Sequence, residues 1–197
     1  MSNLVIGTEG NDFLVGTGDE DFISGLGGDD FIAGLRDEDT LVGGEGADTF
    51  SLEFSDENPF DPDAGNQPRR ELKEFGNDVI TDFDASEDKI ALDADIFSGD
   101  FFTEIETDAD GNLLPGEFVS TDNLKDASKI ARMAGSDPSS PSLFFVENDT
   151  RTPGAEANSA LYYAVTNPAG EVRLERIAIF GEDSNLDDFG SEDFEII

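Results

Sequence analysis

Cysteine and histidine, the residues behind much nucleophilic and soft-metal chemistry, are both missing from this sequence. Without cysteine there are no disulfides and no thiolate ligands or nucleophiles. Without histidine a Ser-His-Asp triad is impossible, and the HExxH type of zinc site is excluded. Hard cations held by oxygen remain open. Basic residues are scarce: 11 Lys and Arg face 47 Asp and Glu, a formal net charge of −36. Such a surface repels a phosphate backbone, which excludes nucleic acid as a natural partner. It suits a cation binder, a halophile-type acidic surface or a partly disordered acidic chain. The 17 phenylalanines argue against disorder along the whole length. No run approaches the ~18 apolar residues of a transmembrane segment. The opening MSNLVIGTEG has neither the basic region nor the long apolar run of a standard secretory signal. The length suits one domain or two small ones.

What the chain does have is a repeat. Five nonapeptides run without a gap: GTEGNDFLV (7–15), GTGDEDFIS (16–24), GLGGDDFIA (25–33), GLRDEDTLV (34–42) and GGEGADTFS (43–51). The first position is always Gly, and the sixth is always Asp: Asp12, Asp21, Asp30, Asp39 and Asp48. The eighth is always apolar: Leu14, Ile23, Ile32, Leu41 and Phe50. An acidic, glycine-rich linker has no reason to hold that apolar phase. Gly permits the positive-φ conformations of a tight turn and lets backbone carbonyls approach an ion. Asp supplies a hard anionic oxygen. The last three residues suffice for a very short strand, in which alternation sends the eighth side chain inward and the seventh and ninth outward.

The pattern resembles the RTX (repeats-in-toxin) unit GGxGxDxUx, a calcium-binding parallel β-helix. The resemblance implies a mainly β fold. A parallel β-roll would span residues 1–54, and a loop or flexible excursion 55–75. A β-rich C-terminal part with one short helix would span 76–197. It also implies that two nonapeptides make one coil, so repeats n and n+2 stack with a calcium ion between their turns. Five repeats give three such pairs. The implied calcium-holding positions are the first, third, fourth and sixth of each repeat. These are Gly7, Glu9, Gly10 and Asp12; Gly16, Gly18, Asp19 and Asp21; Gly25, Gly27, Gly28 and Asp30; Gly34, Arg36, Asp37 and Asp39; and Gly43, Glu45, Gly46 and Asp48. The fourth position departs from Gly in repeats two and four, at Asp19 and Asp37, so both departures fall on one edge. Asp tolerates left-handed backbone less well than Gly. At the outward seventh position, Phe13 and Phe31 are expected to stack on one sheet and Phe22 to lie on the other, covered by the C-terminal part or a partner.

Beyond the repeats, SDENPFDPDAGNQPRR (55–70) reads as a loop. GNDVITDFDASEDKIALD (76–93) is similar to the segment after the repeats in the C-terminal β-roll of serralysin-type proteases. There Asp78, Asp82 and Asp88 either extend the ion-binding edge or solvate turns. A rival calcium motif, ETDADGNLLPGE (106–117), matches an EF-hand loop at Asp108, Asp110, Gly111 and Glu117. Glu106 stands at its first position, Pro115 and Gly116 interrupt the exiting helix, and no second loop exists, so a β-turn at DADGN is the preferred reading. TDNLKDASKIARMA (121–134) predicts a helix capped by Thr121 or Asp122, with Leu124, Ile130 and Met133 on one face. LFFVEN (143–148), ALYYAVTN (160–167) and RLERIAIFG (173–181) read as strands. The ending SEDFEII resembles an uncleaved type I secretion signal or forms a final edge strand.

These readings imply a non-catalytic, calcium-binding bacterial RTX protein, secreted or surface-associated, with calcium and a type I secretion apparatus as partners. No motif selects a carboxylate pair for glycoside hydrolysis. A module that docks a protein or cell-surface partner through the Phe-bearing sheet or the C-terminal strands is the alternative. An intracellular calcium buffer is a third.

Overall fold

The computed structural model of the protein describes residues 3–52, 77–92, 107, 113–114, 116–134, 142–149, 158–166 and 172–197. Within the repeats, each nonapeptide ends in a strand. β1 (Asn3–Ile6), β3 (Asp21–Gly27) and β5 (Thr40–Glu45) stack on one side, and β2 (Phe13–Val15), β4 (Phe31–Ala33) and β6 (Thr49–Leu52) on the other. All pairings are parallel, with Phe13 opposite Phe31 and Phe31 opposite Thr49. Partners are therefore two nonapeptides apart, and one coil takes two repeats.

The alternation within a strand settles which residues form the core. The eighth-position residues Leu14, Ile23, Ile32, Leu41 and Phe50 are all buried between the two sheets. Burying each such side chain contributes roughly 1.5–3 kcal/mol. The seventh-position Phe13 is 73% exposed and Phe22 42% exposed. Phe13 stacks on Phe31 at 4.9 Å between ring centroids, the two ring planes nearly parallel. The stack is as expected, and among the described residues nothing covers Phe13. The ninth position is less uniform than strict alternation requires. Val15 on the edge rung is exposed, whereas Ala33 and Ser51, with a rung on either side, are buried.

Both sheets continue past the repeats. β7 (Asp78–Ile80) pairs in parallel with β5, and β8 (Lys89–Leu92) with β6. Ile80 and Ile90 prolong the inward apolar stacks. The first sheet then runs on through β12 (Val172–Phe180), β11 (Asn158–Thr166), β10 (Leu143–Asp149) and β9 (Phe118–Thr121), to eight strands. The second sheet ends at β13 (Phe194–Ile196), which pairs in parallel with β8. Phe189 sits between the layers, with its ring centroid 4.9 Å from Phe145, 5.3 Å from Phe180 and 5.5 Å from Phe83. Buried Asp149 accepts hydrogen bonds from Tyr162 Oη at 2.6 Å and Arg176 Nη1 at 3.0 Å, and Arg176 Nε donates to Asn77 Oδ1.

The helix α1 (Leu124–Ala134) lies where the periodicity places it, but its cap is Asn123. The Asn123 side chain accepts the Asp126 N–H at 3.1 Å and so satisfies one orphan donor of the first turn. Ala127 and Ala131 pack against Phe144, Val146 and Tyr162. The EF-hand alternative fails here, because Gly116 has φ +116° and β9 follows it where a helix is required. Glu117 is buried and accepts a hydrogen bond from Ser142 Oγ at 2.7 Å. Asp108, Asp110 and Gly111, like residues 55–70, lie outside the described residues.

Candidate metal centre

The sixth-position aspartates join the turns along each edge. On one edge the Asp12 N–H donates to Asp30 Oδ1 at 2.8 Å, Asp30 N–H to Asp48 Oδ1 at 2.9 Å, and Asp48 N–H to Asp88 Oδ1 at 2.8 Å. On the other, Asp21 N–H donates to Asp39 Oδ1 at 2.7 Å and Asp39 N–H to Asp78 Oδ1 at 3.1 Å. Asp78 and Asp88 are therefore further members of the two ladders. Asn3 begins the second ladder in place of an aspartate, donating its N–H to Asp21 Oδ1 at 3.1 Å.

Each ladder uses only one oxygen per carboxylate. The other oxygens of Asp30, Asp39 and Asp48 are buried with no hydrogen-bond partner. An unsatisfied buried charge is costly enough that it takes up a proton or a counterion. Burial, with the carboxylates of Asp21 and Asp37 nearby, pushes Asp39 up to about 7. Burial, with Asp88 and Asp30 nearby, does the same to Asp48, also to about 7. Asp78 is pushed up to about 8, chiefly by burial.

The first-position glycines are explained by space. None of them has positive φ. A Cβ on Gly7 would lie 2.7 Å from both Asp12 Oδ2 and the Gly25 carbonyl oxygen. On Gly16 it would lie 2.7 Å from Asp21 Oδ2 and 2.6 Å from the Gly34 carbonyl oxygen. On Gly25 it would collide with Asp30 Oδ2 and lie 2.7 Å from the Gly43 carbonyl oxygen. Each stacked pair thus aims a carboxylate oxygen of repeat n and a carbonyl oxygen of repeat n+2 at one small volume. At Gly25, where Asp30 Oδ2 has no hydrogen-bond partner, two acceptors converge without a donor, which suits a hard cation; carboxylate and carbonyl oxygens are the set calcium takes. Among the described residues no three acidic side chains gather into a cage, so a site here draws on backbone oxygens.

The turns fall into two classes. Positive φ occurs at the second and fourth positions of repeats three, four and five: Leu26 (80°) and Gly28 (105°), Leu35 (80°) and Asp37 (65°), Gly44 (108°) and Gly46 (125°). These are the turns whose aspartates hold the unpartnered oxygens. In repeats one and two neither position is left-handed, and Asp12 Oδ2 accepts the N–H (2.5 Å) and hydroxyl (2.8 Å) of Thr8. Asp21 Oδ2 accepts the Thr17 N–H. Thr8 and Thr17 depart from the repeat's Gly at the second position, and their short hydroxyl side chains suit such a turn.

The remaining residues named from sequence lie around this frame. Gly34 and Gly43 are buried, and a Cβ added to either would collide with Asp39 Oδ2 or Asp48 Oδ2. Glu9, Glu45, Gly10, Gly18 and Asp19 are exposed. A Cβ on Gly18 would meet Arg36 Cδ at 4.0 Å, so the Arg36 stem lies over it. Gly27 donates to the Thr8 carbonyl and Gly28 to that of Glu45. The third position is thus tied by backbone hydrogen bonds between stacked turns, while its side chain faces outward at Glu9 and Glu45.

Comparison with known proteins bears on the same residues. Residues 6–41 and 24–53 match the RTX calcium-binding nonapeptide repeat (4 copies). A solved structure similar to the chain is the AlgE6R3 subunit from the Azotobacter vinelandii mannuronan C5-epimerase. It is 21% identical, with a TM-score of 0.48, over 100% of this chain and 77% of that one. Another is the C-terminal domain (RV) of MpAFP, 24% identical, with a TM-score of 0.32, over 94% of this chain and 81% of that one. No curated protein matches.

Proposed function

From a chain whose residues 6–53 carry RTX calcium-binding repeats, we propose a non-catalytic bacterial protein that is exported unfolded and folds on binding calcium outside the cell. The reading rests on one observation above all: the buried, unpartnered oxygens of Asp30, Asp39 and Asp48. Calcium between stacked turns would supply the positive charge these oxygens face, held by the sixth-position carboxylates and the first-position carbonyls. Extracellular calcium modules bind at ~10⁻⁴–10⁻³ M, far above resting cytosolic levels. Ions that bind only the folded state shift the balance by mass action. The test is circular dichroism of the whole chain in chelator and through a calcium titration. A cooperative gain of strand signal toward millimolar calcium is expected. Full strand signal in chelator at low ionic strength sinks the reading, and folding by sodium chloride alone favours the halophile-type surface.

Export through a type I apparatus is part of the proposal, with the ending SEDFEII as its signal. Phe194 is buried in the core, so its deletion would disturb the fold as well as the signal. Replacing exposed Glu195 and half-exposed Ile197 by Ser isolates the signal. Retained calcium binding with lost secretion is the expected result, and normal secretion removes the role. A second reading, docking of a cell-surface partner, has the exposed Phe13–Phe31 stack in its favour. Its test is retention on whole cells of wild type against Phe13→Ser, both in calcium.

A further inference from the structure

Both sheets begin at one rung, and that rung is open. Among the described residues β1 pairs only with β3, and β2 only with β4. Val5 and Leu14 end the two inward stacks, in register with Ile23 and Ile32. Val5 is half-buried and Leu14 8% exposed, where Ile23 and Ile32 are fully buried. Leu4, Ile6, Phe13 and Val15 on the same rung are exposed, Leu4 by 66% and Phe13 by 73%. Phe31 stacks on one face of the Phe13 ring, and the other face looks out along the stack where the next rung would lie. A lone strand edge is a template for pairing, and chains ordinarily blunt it with charge, proline or a bulge. The strands NLVI and FLV have neither charge nor proline, in a chain of net charge −36.

We propose that this rung pairs with the same rung of a second copy, about a twofold axis perpendicular to the two sheets. The far end offers no match: the sheets have eight and five strands, so they finish unevenly, at β9 and β13. A head-to-tail stack therefore cannot close both edges, whereas an isologous contact closes both at once. Any such twofold makes the new pairs antiparallel, and charge selects between the two possible axes. With the axis along the strands, the turn holding Glu9 and Asp12 would meet its own copy, acid on acid. With the axis perpendicular to the sheets, that turn meets Asn3, which stands where the ladder otherwise carries a carboxylate. Keeping inward residues inward and overlapping both short strands fixes the register. Val5 then opposes Val5 of the second copy, and Leu14 opposes Leu14. Leu4 opposes Ile6, and Phe13 opposes Val15, an aromatic–β-branched pair of the kind that stabilises antiparallel strands. A face of roughly 20 by 20 Å, set by sheets ~10 Å apart with their outward side chains and by short strands with their turns, buries on the order of 800–1,000 Å² over two copies. That is near the lower limit for specific association, so the dimer forms at micromolar concentration and above and dissociates on dilution. The inference needs the roll folded and is independent of the export reading.

The experiment is sedimentation velocity of the whole chain in millimolar calcium, from micromolar to submillimolar concentration. A monomer–dimer equilibrium with no larger species is expected. Ile6→Asp and Phe13→Asp together, both at exposed positions, should weaken it about tenfold or more, with the strand signal by circular dichroism unchanged. Directly opposed antiparallel residues have Cα atoms ~4.5–5.5 Å apart, within reach of a disulfide. In a chain without cysteine, Val5→Cys should therefore oxidise to a covalent dimer. Ser86→Cys, exposed on a remote turn, should not. A chain monomeric throughout overturns the inference and leaves the rung to a strand of another protein. A dimer indifferent to the double variant, a dimer that Val5→Cys does not cross-link, or a series of larger species overturns it as well. Should the double variant lose strand signal, the wild-type series and the Val5→Cys cross-link decide.

Discussion

Asp48 donates its backbone N–H to Asp88 Oδ1 at 2.8 Å, across a sequence separation of 40 residues. The equivalent bond from Asp30 to Asp48 spans 18. The same contact therefore continues although the spacing has more than doubled, and the ladder of aspartates defines the roll better than the nonapeptide does.

Aspartates in the ladder should not be equivalent. Asp30 holds a buried oxygen without a partner, whereas the matching oxygen of Asp21 accepts the Thr17 N–H. Asp30→Ala should weaken calcium binding by about tenfold more than Asp21→Ala, or ~1.4 kcal/mol. Calorimetric titration of both variants checks this, and equal losses count against the stacked-pair geometry.

Glycine substitutions should divide by position. Alanine at Gly25 drives a methyl group into Asp30 Oδ2. Alanine at Gly10 meets nothing closer than Thr8 Oγ1, at 4.0 Å. Gly25→Ala should shift the calcium midpoint of folding upward severalfold, while Gly10→Ala leaves it nearly unchanged. Circular dichroism titrations separate the two.

The pH dependence should reverse with calcium. Burial raises Asp39 and Asp48 to about 7 and Asp78 to about 8, from 3.8 when exposed. Between about pH 4 and 8 the folded chain then binds more protons than the unfolded one. Stability in chelator should rise as pH falls through that window and be lost as it rises. With calcium the same protons compete for the ligands, so affinity should fall on acidification through 7. The strand signal in chelator at pH 5 and pH 8, and calcium titrations at both, give the signs directly. More strand signal in chelator at pH 8 than at pH 5 would falsify the assignment of these carboxylates as buried acceptors.

The joint between the roll and the C-terminal strands should depend on Arg176. It reaches Asp149, which is almost wholly buried, and Asn77 beside β7. Removing one partner of a buried pair costs on the order of 3 kcal/mol. Arg176→Ala should lower the urea midpoint of the calcium-bound chain accordingly, with little change in the number of ions.

The repeats were legible because period, turn and core obey one rule: an apolar residue at every eighth position and an aspartate at every sixth. For Asp78 and Asp88 two readings stood open, extension of the ion-binding edge or solvation of turns, and the 39- and 40-residue offsets hide the register that decides for the first. The invariant first glycine pointed to left-handed backbone, yet that conformation falls at the second and fourth positions, on Leu26, Leu35 and Asp37 among others. The first glycine answers to the carboxylate across its own turn, a contact no local propensity reveals. The Asn123 cap was missed for a smaller reason: three consecutive residues, Thr121 to Asn123, all carry capping side chains.

The parallel register also sets how such a chain can change length. Eighteen added residues would insert one rung into each sheet and lengthen the stack by ~4.8 Å, the spacing of neighbouring strands. Nine would transpose everything before them: Phe13 and Leu4 would exchange sheets, and the turns holding Asp12 and Asp21 would exchange edges. The edge rung formed by β1 and β2 has pairing partners on one side only, so growth there leaves the Asp78 and Asp88 ladders untouched. Size in this architecture is quantised in coils, and a single duplicated nonapeptide is a frameshift in space.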